Sequence, residues 1–309
     1  MSTGPATVEE RHHRVVDPRI RIFQAGEEVD TFVVSTTRFV VFIDTMSTPT
    51  LMRQVIEKVR PDLGGRPVLV INTHADWDHV YGNSLFAPDG EQPALIIGRA
   101  LTRERLRSPD AFERLKNQQA EENRFAEVTL VPPDLTFADA LTLNGGDLTL
   151  ELVATPGHTP DHCSVWIPEL GTLLAGDAAE FPFPSVRDGA TLAQVRSSLQ
   201  YLTTLQPRVV LACHGGTTGP ELLDQNLAYF SLLKDLVQAG PPVNDWRTLT
   251  ESALPPQLRY ATVLESLGTP PERVPAFYRG FHLDAVRATA EEVWSENSAF
   301  PVTAAGHDS

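Results

Sequence analysis

The sequence predicts an α/β protein in which two β-sheets pack on each other with helices outside, followed by a helical extension. Three observations carry this. Short apolar, β-patterned segments gather in two halves, one from Arg19 and one from Leu135. Each half is accompanied by amphipathic helical segments, the pattern of sheets covered by helices. After Gly240 the β signal stops and the chain turns helical and Pro-punctuated. At 309 residues the chain is long for one core, so one large domain with an appendage is expected. The divisions are an N-terminal segment 1–18, a main domain 19–240 and a C-terminal helical extension and tail 241–309, with the boundary near Pro241-Pro242.

The elements follow in order. "RIRIFQAGEEVDTFVVSTTRFVVFIDT" reads as two or three strands broken at Gly26-Glu27-Glu28 and Thr36-Thr37. "STPTLMRQVIEKVRP" reads as a short helix with Pro49 early and Pro61 just past its end. "RPVLVINTH" is a buried strand and "PALIIGRA" another. "SPDAFERLKNQQAEENRFAEV" is a charged surface helix capped by Ser108, with Pro109 in its first turn. "LTFADALTLNGGDLTLELVATPGH" returns to strands, with Asn144-Gly145-Gly146-Asp147 as a tight turn. "CSVWIPELGTLLAGD" is a hairpin, "TLAQVRSSLQYLTTL" a helix, and "RVVLACHGG" a strand. "GPELLDQNLAYFSLLKDLVQAG" is a helix closed by Gly240. The extension ends in "LDAVRATAEEVWSEN" and a frayed tail.

Composition narrows the function classes. The formal net charge of −15 argues against nucleic acid, whose phosphates need a basic field. No run reaches the ~18 apolar residues of a membrane span, and the first residues have no apolar core for a secretory signal. Two cysteines, Cys163 and Cys213, fit a reducing compartment and read as small buried core residues. The expectation is a soluble cytoplasmic protein acting on a small molecule, with a homodimer left open.

The chemistry gathers in "NTHADWDHVYGN", which sets His74, Asp76, Asp78 and His79 directly after an apolar strand. So many ionisable groups beside a buried strand are costly unless a cation neutralises them. Imidazole and carboxylate are ligands of zinc, iron and manganese. Three later strand ends carry the same kind of residue beside glycine: "TPGHTPDH" (His158, His162), "LLAGDAAE" (Asp177) and "LACHGG" (His214). Strand ends on one edge of a sheet can converge on a single cleft.

In combination and order these motifs resemble the metallo-β-lactamase-fold hydrolase superfamily, over about Arg19 to Gly240. The resemblance implies a four-layer αββα sandwich of two mixed sheets with the site at one edge. It also implies a dinuclear site. One ion would take His74, Asp76 and His158; the other would take Asp78, His79 and His214; Asp177 would bridge them. No flavin or nucleotide is expected. Asp76 departs from the family pattern H-x-H-x-D-H, which has histidine there. A carboxylate makes that site harder and shifts preference from zinc toward iron or manganese; flavodiiron relatives have an acidic residue at this place. The alternative stays open that Asp76 is not a ligand and the first site does not fill. The implied reaction is hydrolysis of an ester-like bond (lactone, thioester, carboxylic ester or phosphoester) by a metal-bound hydroxide, with Asp78 both ligand and proton carrier. The rivals are an iron-dependent oxidoreductase or dioxygenase of the same fold and a non-catalytic metal-binding relative.

Supporting residues are weighed against plain packing. Asp44, after "FVVFI", is expected to support the metal loop, and His162 to brace its own loop. Asp161 stands where the family has glycine, with no role assigned. Trp77 is expected to pack beneath the metal loop. Phe181 and Phe183 in "AEFPFPSV" are candidates for an apolar substrate wall, and Tyr278 and His282 in the extension for substrate contacts.

Overall fold

The computed structural model describes residues 7–186, 191–240 and 250–297. The expected boundary at Pro241-Pro242 and the tail from Ala299 lie outside the described residues. The chain divides into two compact units, residues 1–226 and 227–309.

Unit 1 begins with β1 (Glu9–Arg11), β2 (Ile20–Gln24), β3 (Asp30–Ser35) and β4 (Val40–Ile43). After β4 comes α1 (Pro49–Val59), where Thr48 caps by accepting from Leu51 N at 3.2 Å. The chain continues through β5 (Val68–Ile71), the one-turn α2 (Trp77–Val80), β6 (Leu95–Arg99), α3 (Ala100–Leu106) and α4 (Pro109–Glu121). Next are β7 (Leu135–Phe137), β8 (Ala140–Asn144), β9 (Thr149–Ala154), β10 (Cys163–Ile167) and β11 (Thr172–Gly176). α5 (Leu192–Thr204), β12 (Val209–Ala212) and α6 (Glu221–Ala239) complete the series, α6 running across the division between the units.

The strands form two mixed sheets with flanking helices, the architecture expected from the sequence. Seven strands run in the order β1-β2-β3-β4-β5-β6-β7, antiparallel up to β4 and parallel from β4 onward. Five run in the order β12-β11-β10-β9-β8, with only β11 and β12 parallel. One core joins the sheets: Val33, Phe42 and Val70 from the first meet Leu152, Val165, Leu174 and Leu211 from the second. α1 adds Leu51, Met52, Val55 and Ile56 to the same core.

Asn144 pairs with Thr149 across the β8–β9 turn, and Gly146 there takes φ +95°, a conformation that favours glycine. Elements not legible in the sequence include β1 and α3, and the one-turn α2 inside the stretch read as a loop. β1, "EER", has no apolar alternation and is a strand only because β2 lends it an edge. α3, "ALTRERL", is too short and too charged to show a helical period.

Unit 2 contains the rest of α6, α7 (Tyr260–Ser266) and α8 (Tyr278–Asn297), in keeping with the helical reading of this region. No helix among the described residues is long and apolar enough to cross a membrane.

Gly82, just past α2, fixes how closely the metal loop approaches α1. A Cβ there would lie 2.0 Å from Thr45 O and 2.6 Å from Met52 Cβ. Gly82→Ala should therefore lower stability by about 1–3 kcal/mol, read as an earlier midpoint in chemical denaturation; an unchanged midpoint would contradict this packing.

Candidate metal centre

The metal loop is held at both ends. Asn72 and Asn83, the first and last residues of the quoted motif, are buried and exchange amide hydrogen bonds of 3.0 and 2.8 Å. Asn83 Nδ2 also donates to Val131 O at 2.8 Å, and Thr45 Oγ1 donates to Asn83 Oδ1 at 2.8 Å. Between them, Trp77 packs edge-on against Phe125 at 5.6 Å, tying the loop to the small core beside α4.

The ligand candidates come from four strand ends and meet at one atom. His74, Asp76, Asp78 and His79 follow β5; His158 lies between β9 and β10; Asp177 follows β11; His214 follows β12. Asp177 Oδ2 lies 3.3 Å from His79 Nε2 and from His214 Nε2, 3.5 Å from His158 Nε2 and 3.8 Å from His74 Nε2. On one side, Asp76 Oδ2 is 3.4 Å from His158 Nε2 and 3.8 Å from His74 Nε2. On the other, Asp78 Oδ2 is 3.5 Å from His214 Nε2 and 3.6 Å from His79 Nε2. The structure thus brings together all seven residues that the sequence pointed to, as two triads around a shared carboxylate.

The far nitrogens are spoken for. His79 Nδ1 donates to Asp44 Oδ2 at 2.8 Å. His74 Nδ1 contacts Thr73 Oγ1 at 3.0 Å, and that hydroxyl donates to Asp44 Oδ2 at 2.7 Å. Asp44 also accepts from Thr73 N at 2.8 Å, from a left-handed backbone at φ 64°. One buried carboxylate therefore orients a histidine in each triad. His158 Nδ1 donates to Ser185 O at 3.0 Å. Each of these three imidazoles turns its Nε2 inward. The Nε2 atoms of His74, His79 and His158 are buried without a hydrogen-bond partner, as is Asp177 Oδ1. Buried polar atoms are normally satisfied; four orphans around one point are what a bound cation would satisfy. The donor set fits divalent ions of the zinc, iron and manganese class.

Electrostatics set the balance of protons in the cluster. Burial opposes charge on every group, and neighbours decide the outcome. Against burial, Asp76, Asp177 and Glu180 lift His158 to about 9, and Asp177, Glu180 and Asp78 lift His214 to about 10. Burial and the neighbouring His79 hold His74 well below the ordinary histidine range. Burial is again outweighed at Asp177, which His79 and His214 hold well below the carboxylate range. Burial raises Asp78.

His162 is no part of the cluster of bare nitrogens. Its Nε2 accepts from Asp177 N at 2.9 Å and its Nδ1 meets Thr155 Oγ1 at 2.9 Å, so it braces the bridging residue; burial pushes its pKa down to about 3. Cys163 and Cys213 are free and buried.

The substrate candidates fare differently. Phe181 is half-buried and packs on Gly215, next to His214, where an added Cβ would lie 2.6 Å away. Phe183 is fully buried, so of this pair only Phe181 has surface to offer a ligand. In unit 2, Tyr278 is buried and His282 spends Nδ1 on Tyr229 Oη at 2.9 Å and Nε2 on Leu258 O at 2.7 Å. Both residues are packed in the core of unit 2. His282, a candidate for substrate contact, is a core residue, because a tyrosine and a carbonyl satisfy both its nitrogens.

Sequence reasoning missed Arg105, Ser185 and Asn226. Asn226 Nδ2 donates to Glu180 O at 2.8 Å and Pro182 O at 3.0 Å, pinning the loop beyond Asp177. Arg105 and Asn226 belong to no motif, Ser185 lies in "AEFPFPSV" without having been singled out, and each acts on atoms far away in sequence.

A family model described as the metallo-beta-lactamase superfamily matches residues 26–214. No curated protein matches the chain. Among solved structures, a metallo-beta-lactamase family protein from Thermus thermophilus is similar with a TM-score of 0.61 at 21% identity, covering 87% of this chain and 89% of that one. A metallo-beta-lactamase from Pontibacter korlensis gives 0.53 at 21% identity, over 72% of this chain and 97% of that one. The metallo-beta-lactamase FIM-1 from Pseudomonas aeruginosa, in its mono-zinc form, gives 0.53 at 17% identity, over 72% and 94%. At such identities the likeness speaks for the fold.

Asp44→Ala removes the support of a histidine in each triad. Affinity for divalent metal should fall about 10–100-fold, measured by competition with a chromophoric chelator; wild-type affinity would show that Asp44 does not orient the site.

Proposed function

The chain belongs to the metallo-beta-lactamase superfamily, and from that premise we propose that it is a metal-dependent hydrolase cleaving an ester-like bond of a small molecule: a lactone, thioester, carboxylic ester or phosphoester. The observation that carries the reading is the set of buried, unpartnered histidine Nε2 atoms gathered around Asp177 Oδ2. His74, Asp76 and His158 would hold one divalent ion, and Asp78, His79 and His214 a second, with Asp177 shared. Bound there, such ions supply Lewis acidity, which makes water nucleophilic near neutral pH and polarises the scissile carbonyl or phosphoryl oxygen.

The remaining work falls to side chains. Solvent reaches the cluster on one side: Asp78 and His214 side chains are 14% exposed, while those of His74 and His79 are 0% exposed. The substrate enters on that side. Asp78, the most open of the three carboxylates and raised by burial, accepts a proton from the attacking water and returns it to the leaving group. Phe181 lies beside His214 and offers an apolar wall for the substrate's body. Two free, buried cysteines fit a reducing compartment, and the cytoplasm is the proposed location.

Asp76 favours a second reading. A carboxylate oxygen facing the first triad suits iron or manganese better than imidazole would, and with iron the same frame could serve an oxidoreductase.

Protein purified without added metal should carry about two equivalents of divalent metal by elemental analysis. Chelation should abolish turnover across a panel of small lactones, thioesters, carboxylic esters and phosphoesters. Oxygen uptake by an iron-loaded protein that hydrolyses none of the panel would select the second reading. Asp177→Ala and His158→Ala should keep a native circular-dichroism spectrum while losing metal and turnover; full activity in either would overturn the site.

A further inference from the structure

Asp76 sits at the N-cap of α2, where an aspartate ordinarily caps with its side chain. Here it makes no such bond. Its Oδ2 faces His158 and His74, and its Oδ1 accepts from Arg105 Nη2 at 3.1 Å. The other arm of that guanidinium, Nη1, pairs with Asp161 Oδ1, while Asp161 Oδ2 accepts from Ala75 N at 2.9 Å. Asp161 is fully buried. Its loop is tied to the α3 region elsewhere too: Arg99 Nη1 donates to Pro160 O at 2.8 Å and Thr102 Oγ1 to Asp161 O at 3.4 Å. Arg105 thus bridges two carboxylates, one beside the metal ligands and one anchored on the backbone of the metal loop itself.

The physical need for such a bridge follows from ligand shape. An imidazole held by its Nδ1 has one donor atom with one direction. A carboxylate has two equivalent oxygens and a short stem that can turn. Where a carboxylate replaces an imidazole, one oxygen has to be fixed if the other is to stand in a defined place. A guanidinium fork suits this task, since its donors are rigid and planar.

We propose that Arg105 is a positioning residue for the first metal ion, gripping Asp76 Oδ1 so that Oδ2 alone is presented, with Asp161 as the anchor that holds the guanidinium in place. Asp76, Arg105 and Asp161 act as one unit. The inference rests on the reading of His74, Asp76 and His158 as ligands of one ion.

The test is a double-mutant cycle read by metal affinity. Zn²⁺ is titrated against a chromophoric chelator with wild-type protein, Arg105→Ala, Asp76→His and the double variant; Asp76→Ala identifies the binding step that belongs to the first ion. Two effects oppose each other in Arg105→Ala. Losing a cation strengthens attraction for Zn²⁺, while losing the grip lets Asp76 turn and leaves buried Asp161 without its partner. Orientation is expected to win, because the ion needs the oxygen in place. The first step should weaken about 10–100-fold, with the Asp78, His79 and His214 step unchanged. With Asp76→His present, Arg105→Ala should move the first step by less than about twofold, because no carboxylate remains there to be gripped. Should Arg105→Ala fail to fold, Arg105→Lys carries the same comparison: it keeps charge without the fork, and about a tenfold loss is expected. A wild-type first step in the Arg105 variant overturns the proposal. An equal loss in both backgrounds also overturns it, because Arg105 would then only support the fold. Retention of both steps in Asp76→Ala would instead defeat the ligand reading beneath it.

Discussion

The whole site depends on how Asp177 Oδ2 is surrounded. Four imidazole nitrogens approach it within 3.3–3.8 Å, and two more carboxylates stand behind them. Burying a charge costs several kcal/mol even after relaxation, and this site buries several. Such a cluster is stable only when positive charge is shared among its carboxylates. Protons on the histidines can supply some of it. Divalent cations supply more, and they also satisfy the Nε2 atoms that otherwise have no partner.

That convergence sets demands on the scaffold. The ligands come from loops belonging to two different sheets, so the sheets have to be locked at this edge. Cys163 N donates to Thr73 O at 2.9 Å, and Asp30 N to Cys213 O at 2.8 Å, each bond joining an element beside one ligand loop to an element of the other sheet. The Asn72–Asn83 clasp fixes the span of the metal loop, and Asp44 sets two histidine rings at once. Functional groups on loops gain precision when the loop is held by rigid elements in this way.

The two triads are not equivalent. The one containing Asp78 and His214 is the more exposed. The one containing Asp76 and His158 is deeper, and its carboxylate pairs with Arg105. Asp161, without a role in a linear reading, becomes intelligible once Arg105 is seen between it and Asp76.

The sequence by itself determined the fold class and the list of ligand candidates. Both are written in local signals: β and helical periods, turn residues such as Asn144-Gly145-Gly146-Asp147, and ionisable residues placed where apolar strands end. His74, Asp78, His79, His158, Asp177 and His214 each stand at such a junction, as does His162, and only the family resemblance separates His158 from His162 as a ligand. Tertiary structure alone decided which side chains serve those ligands. Arg105 sits in a short charged helix with no pattern of its own, and its partners lie 29 and 56 residues away. Phe183 and His282 look in sequence like residues for a substrate, yet neighbours from distant segments bury them. The physical reason is range. Periodicity and turn chemistry act over a few residues, whereas burial and the pairing of buried charges depend on which distant segments the fold brings together.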